Sequence, residues 1–322
     1  MSIEQFGYIY RNCDTVVAKT QPLSYMGQPL EFFVPTLCHS MAITATDETL
    51  GNFDMTFFVG SEFAQTLSFR AVEVEQTATV KACSHLYKNL AENHGDQLLA
   101  RVALVHENLE HQTTADLLAK PSAFIRGSTS LLAETLEPMS GRDKWHIDGR
   151  GVVFISPYQG MQQPRRVILL VMLALAYQLA LNQISEALAN IVKLPESAEN
   201  IQALNELYLK SAKFNAQFYF SAPVQVNRYA TYQAWEKINQ VYKLEREYQE
   251  TNSQLDQVHR ILTFHHQQCE QQLMAKRNKI IAMFGVLITV LNLLQPLDIM
   301  LNWNKNGNWQ KISHYLGQLF GF

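Results

Sequence analysis

Between Gly160 and Gly285 the chain contains no glycine, and only Pro164, Pro195 and Pro223 interrupt that interval. Nothing else in the sequence constrains the fold as strongly. Proline is tolerated in a first helical turn but breaks a helix interior. The three prolines therefore read as helix starts, and the spacing predicts helices over 165–193, 197–219 and 225–294. The stretch PESAEN ahead of the second helix supplies N-cap chemistry. Before Pro164 the pattern changes. Short runs of aromatic and β-branched residues, bounded by turn formers, read as strands at Tyr8–Tyr10, Thr15–Ala18, Glu31–Pro35, Met41–Ala45, Met55–Val59, Leu99–Val105 and Val152–Ile155. Helices are expected at 79–93 and 128–137. The expected fold class is an α+β (α/β) N-terminal domain over 1–160, then a helical bundle and coiled-coil stalk over 161–279. Their boundary falls in SPYQGMQQP, between Ser156 and Pro164.

The third expected helix is too long for a globule. About 70 residues at about 1.5 Å each reach roughly 105 Å, against a compact body of about 50 Å for a chain of this length. A stalk is the reading that follows. Val241, Tyr248, Leu255, Leu262 and Cys269 recur every seven residues, and Leu244, Thr251 and Val258 follow the first three at a spacing of three. That is the pattern of a self-associating coiled coil, with Val241, Tyr248, Leu255, Val258 and Leu262 as its seam. A stripe packing on the other helices of the same chain is the alternative.

Two segments are apolar enough to interest a bilayer, Val167–Leu181 and Ile280–Leu297. After Leu181 the first continues as Ile184, Leu188 and Ile191 with polar residues between, the stripe of a buried soluble helix. The second follows Lys276, Arg277 and Lys279 and precedes Trp303, Trp309 and Tyr315, an asymmetry that suits a membrane span. A transmembrane helix is therefore expected over 280–302, with an amphipathic tail over 303–322. The basic side would face the cytoplasm, which puts the N-terminal domain there, on the inner membrane. The start, MSIEQFGYIY, has no basic segment followed by an apolar one, so no secretory signal is expected.

Composition agrees with a chain that hides contact area. Charged residues are 17% of the sequence, where soluble domains carry about 25%. The net charge of -3, with no long basic stripe, argues against duplex nucleic acid as a partner. Cys13, Cys38, Cys83 and Cys269 are scattered without a disulfide spacing, as in a reducing compartment.

The order of parts resembles the CorA family of divalent-cation transporters. The resemblance lies in the helices at 165–219 and in YKLEREYQETNSQLDQVHRILTFHHQQCEQQLMAKRNKIIAMFGVLITVLNLL, and covers the last half of the chain. It implies an N-terminal α/β cytoplasmic domain, two packed helices and a stalk running into a first span, with five subunits around one pore. The family's Gly-Met-Asn signature is absent; Gln295-Pro296-Leu297-Asp298 stands in its place, and no second full span follows. Magnesium selectivity is accordingly not implied.

Several clusters invite chemistry. His259, His265, His266 and Cys269 would repeat as rings in a symmetric stalk and could hold a divalent metal ion or sense pH; polar heptad positions are the plainer reading. Arg260 and His265 have the Arg-x4-His spacing of HEPN-type ribonucleases, but Ile261 stands where those place a polar residue. His106 and His111 are five apart, not the four of a zincin helix. Cys38-His39 and Cys83-x-His85 would make a zinc site only if the fold joined them. Trp145–Gly151 reads as a structured turn or a ligand loop. No Walker A, Gly-x-Gly-x-x-Gly or Gly-x-Ser-x-Gly sequence occurs.

The function expected is thus non-enzymatic. It is a homo-oligomeric membrane protein with a cytoplasmic sensor domain, a CorA-like channel or ion-transport scaffold in contact with lipid. A small molecule or protein would act as trigger at the N-terminal domain. A membrane effector in stress or antiviral defence and a soluble helical scaffold are the alternatives.

Overall fold

The computed structural model describes residues 4–12, 24–25, 28–47, 51–72, 74, 77–106, 114–139, 141–157, 162–193, 197–305 and 314. The chain forms two compact units, Met1–His259 and Arg260–Phe322. In the first, β1 (Glu4–Arg11), the two-residue strands β2 (Ser24–Tyr25) and β3 (Gln28–Pro29), and α1 (Pro35–Cys38) lead into β4 (Ala42–Asp47), β5 (Asn52–Phe57) and β6 (Gln65–Val72). Then come α2 (Val80–His94), β7 (Leu98–His106), α3 (Thr114–Arg126), β8 (Glu137–Pro138), β9 (Lys144–Asp148) and β10 (Gly151–Ser156). The helical region comprises α4 (Gln162–Val192), α5 (Ala198–Gln217), α6 (Tyr229–Tyr242) and α7 (Leu244–Lys305), the last crossing from one unit into the other.

Eight strands form one mixed sheet in the order β4-β5-β6-β1-β7-β10-β9-β8. Neighbours are antiparallel except β10 and β7, whose parallel pairing requires the crossover through α3. Alternation assigns the two faces. Phe6, Ala103, Val105, Val153 and Ile155 point to α2 and α3 and meet Cys83, Leu117, Leu118 and Phe124. The opposite face meets α4. All six residues of β10 are buried, as a strand covered on both faces requires. At Gly151 a Cβ would lie 2.1 Å from the Arg101 carbonyl oxygen, so only glycine lets β10 approach β7 this closely.

α4 is the core helix of the unit. Val167 to Tyr177 are each at most 5% exposed. At about 1.5–3 kcal/mol for each large apolar side chain removed from water, this run is a main source of stability. Phe58, at the end of β5, joins sheet to helices: fully buried, it stacks on Tyr177 at 5.1 Å and meets Phe214 edge-on at 5.1 Å. Its φ of 60° is unusual for a bulky residue, and the aromatic packing holds it there. Tyr177 donates to the Phe218 carbonyl (2.7 Å) and accepts from the Phe220 N–H (3.2 Å); burial raises its pKa.

Three expectations need correction. Residues 31–34 form a turn with an isolated bridge from Phe33 to Val224, and Pro35 opens α1, so Glu31–Pro35 is not a strand. The helix expected at 128–137 is a short 3-10 turn leading into β8, while the helix of that region lies earlier, at α3. The single helix expected over 225–294 is two. Lys243 adopts a left-handed conformation (φ 54°, ψ 34°) and its N–H caps α6 at the Asn239 carbonyl. That is the work a glycine usually does, so a lysine at this position carries no local signal of a helix end. At its far end α7 continues through Pro296 to Lys305, beyond the expected stop. The strand expected at Thr15–Ala18 lies outside the described residues.

Candidate functional site: the apolar run of α7 and a cleft beside α6

The first four turns of α7 belong to the N-terminal unit. Polar and stacked contacts join the burial of Leu244 and Leu255 in holding them there. Tyr248 lies parallel to Tyr219 with ring centroids 3.9 Å apart. The Thr251 and Ser185 hydroxyls are 3.3 Å apart, and Asn215 Nδ2 donates to Asn252 Oδ1 at 2.8 Å. Gln178 Nε2 donates to the Tyr242 carbonyl and to Glu247 Oε1, both at 3.2 Å. Burial raises the Glu247 pKa, against the opposing effect of that hydrogen bond. Leu255 is buried within the same chain.

The residues of the expected oligomer seam divide within the chain itself. Val241 and Tyr248 stand on different helices, and Tyr248 and Leu255 are occupied by the chain itself; Val258 and Leu262 are half-buried. Seven residues are close to two turns. The mismatch is only about 20° per heptad, so over this distance an internal stripe has the same spacing as a coiled-coil seam.

Among the described side chains, His259 and His266 take separate partners. His259 stacks on Tyr208 (centroids 4.5 Å) and shares a 2.9 Å hydrogen bond with Asn205. His266 Nε2 lies 3.3 Å from Glu270 Oε1, and Cys269 is exposed. The His265 side chain lies outside the described residues, and with it the geometry of the Arg260–His265 pair. Among the described residues no three His, Cys, Asp or Glu side chains are grouped to hold a metal ion. The two thiol–imidazole pairs also stay apart. Half-buried Cys38 faces the Leu30 carbonyl (Sγ to O 3.5 Å), and burial pushes its thiol pKa up; Cys83 lies in the core under α2 while His85 on the same helix is exposed. Of the His106–His111 motif, residues 107–113 are outside the described residues.

The Trp145–Gly151 segment is β9, its turn and the start of β10. It carries a compact ionic cluster. Arg126 at the end of α3 meets Asp148 Oδ2 at 2.8 Å and His146 Nε2 at 2.8 Å. Because Nε2 faces that guanidinium donor, it accepts, and Nδ1–H then donates to the Thr135 carbonyl at 3.1 Å. Asp148 Oδ1 accepts from the Arg150 and Gly151 N–H groups at 2.8 and 3.2 Å. Burial would raise the Asp148 pKa, but the hydrogen bonds from the Arg150 N–H and the Arg126 guanidinium, with the Arg126 charge, outweigh it and hold the carboxyl well below its ordinary range. Arg126 went unrecognised in the sequence because it lies 22 positions from its partner. Beside the cluster a cleft of about 780 Å³ opens between β8–β9 and α6, lined by Trp145, Lys243 and Arg246 and crossed by the Lys237–Glu137 ion pair. A cavity of about 290 Å³ sharing Trp145 and Lys237 includes His146 in its wall.

α4 is, among the described residues, the one helix long and apolar enough to cross a membrane; its most apolar window has mean hydropathy 2.0 and is 78% buried in the fold, as a soluble core helix would be. α7 differs. Every residue from 267 to 290 is exposed. Ile280, Ile281, Met283, Phe284, Val286, Leu287, Ile288 and Val290 are between 48% and 69% exposed. At about 100° per residue these cover well over half the helix circumference, and Ala282, Gly285 and Thr289 occupy the remaining stripe. Side chains beyond 290 other than His314, including those of the expected aromatic belt, are outside the described residues. The chain matches no protein-family model, no curated protein and no solved structure.

Proposed function

We propose that this chain is a membrane protein. In this reading α7 carries the N-terminal α/β unit to the inner membrane, and several copies assemble there into an ion-conducting scaffold of CorA-like plan. The observation that carries the reading is the apolar run of α7, exposed from Ile280 to Val290. Left in water, each of those large side chains forgoes about 1.5–3 kcal/mol of burial, and hydrocarbon satisfies all of them at once. Assembly in the bilayer draws support from Ala282, Gly285 and Thr289, a small-residue stripe that lets helices approach closely; the Thr289 hydroxyl is itself satisfied by the Gly285 carbonyl at 2.8 Å. The cleft beside α6 suits a small-molecule trigger, because it reaches the Lys243 joint from which α7 departs. The role is non-enzymatic, with the sheet unit as sensor.

The test is recovery from cells. Full-length protein should stay with membranes through alkaline carbonate and leave them only in detergent. A monodisperse cytosolic protein obtained without detergent contradicts the reading. Currents across a planar bilayer then separate a conducting assembly from an inert anchor. A cysteine near Lys305, in a background without native cysteines, should react with impermeant reagents outside intact cells; labelling only after lysis reverses the topology.

A further inference from the structure

We propose that Lys276, Arg277 and Lys279 form a collar that binds the anionic headgroups of acidic phospholipids where α7 enters the bilayer; the inference rests on the membrane reading above. All three are exposed. They fall within four consecutive positions, about 4.5 Å of helix rise, so their charges lie at one depth. Side-chain directions at about 100° per residue spread them over nearly half the circumference, as a ring facing a planar surface needs. The sequence holds no Asp or Glu between Glu270 and Asp298, so no carboxylate of this stretch offsets them. Elsewhere Arg70, Arg126, Lys210 and Lys237 each reach a carboxylate of the chain itself. Ile280 follows the collar directly, and exposed Leu273 and Met274 precede it. Apolar stems with cationic ends between apolar neighbours match the boundary of headgroup and acyl chain. A soluble polyanion would leave those neighbours in water, which is why lipid is the better fit.

The experiment is flotation of the full chain, diluted from detergent, with two kinds of vesicle. One is phosphatidylcholine alone; in the other about a third of the lipid is phosphatidylglycerol, enough for a negative surface potential. At roughly fivefold per cation near such a surface, partition into the anionic vesicles should be stronger by about a hundredfold at low salt, and the preference should shrink in high salt. K276Q/R277Q/K279Q should float equally with both kinds, and the charge-retaining K276R/R277K/K279R should recover the preference. Equal flotation of the unaltered chain with both vesicles, or an unchanged preference in the glutamine variant, overturns the collar while leaving the membrane reading intact. Flotation with neither overturns both.

Discussion

Val167–Leu181 and Ile280–Leu297 are close to interchangeable as strings of apolar residues, yet they end in opposite surroundings. In α4 the run from Val167 to Tyr177 is at most 5% exposed, enclosed by sheet and helices. In α7 the described part of the run is exposed throughout. Composition therefore does not decide which apolar helix becomes a core. What decides is the surface the rest of the chain offers: β6, β7, α5 and α6 pack on α4. An apolar helix without such a surface needs another low-dielectric partner, and for α7 we propose lipid.

The largest effect should come from placing the same charge in both runs. Leu170→Asp puts a carboxylate at a fully buried position, at a cost of several kcal/mol against a total stability of about 5–15 kcal/mol. It should unfold the N-terminal unit in a thermal melt followed by circular dichroism. Val286→Asp should leave that melt unchanged and weaken membrane retention. If both variants melt alike, the two runs are not in different surroundings and the comparison collapses.

Leu255 tests where the core gives way to the exposed part of α7. Leu255→Ala should cost about 2–3 kcal/mol in denaturant unfolding, because the side chain is buried in its own chain, whereas Leu273→Ala should cost under about 0.5 kcal/mol. A loss of oligomer without loss of stability at Leu255 would restore it to an intersubunit seam.

How much of this was legible in the sequence follows the same division. The helical half was visible because glycine is missing over a long interval, and Ser197 does cap α5 through the Asn200 N–H. Where elements meet was less visible. Lys243 ends α6 in a conformation its side chain does not advertise, and β6 and β9 went unnoticed because Gln65–Val72 and Lys144–Asp148 mix polar and apolar residues as one-sided strands do. The Arg126–Asp148 cluster depends on α3 folding back onto the β9 turn, a long-range event with no local signature. For the stalk histidines spacing was the whole argument, and spacing could not foresee that Tyr208 and Asn205 would take His259.

The Asp148 cluster offers a smaller, pH-dependent effect. The folded-state pKa is lowered relative to the unfolded value of about 3.9, so the cluster stabilises the fold above that value and the contribution is lost as pH falls from there toward the folded pKa. Asp148→Asn should cost about 1–3 kcal/mol at neutral pH and flatten the acid limb of the stability profile. An unchanged acid limb would show that the cluster is not formed. Smaller still, Lys243→Gly should stabilise the α6–α7 joint by up to about 1 kcal/mol, since glycine takes the left-handed conformation without strain. Destabilisation there would mean that the joint is not left-handed.

The most direct measurement places a fluorophore in each surrounding. In a chain freed of its native cysteines and reconstituted into vesicles, Phe284→Cys and Leu209→Cys are labelled with the same environment-sensitive dye. Both positions are exposed, at 58% and 59%, one on the apolar run of α7 and the other on α5. Lipids brominated along their acyl chains should quench the dye at position 284 and leave position 209 unaffected, with soluble iodide showing the reverse. Iodide quenching at both positions, with no effect of brominated lipid at 284, would contradict the account.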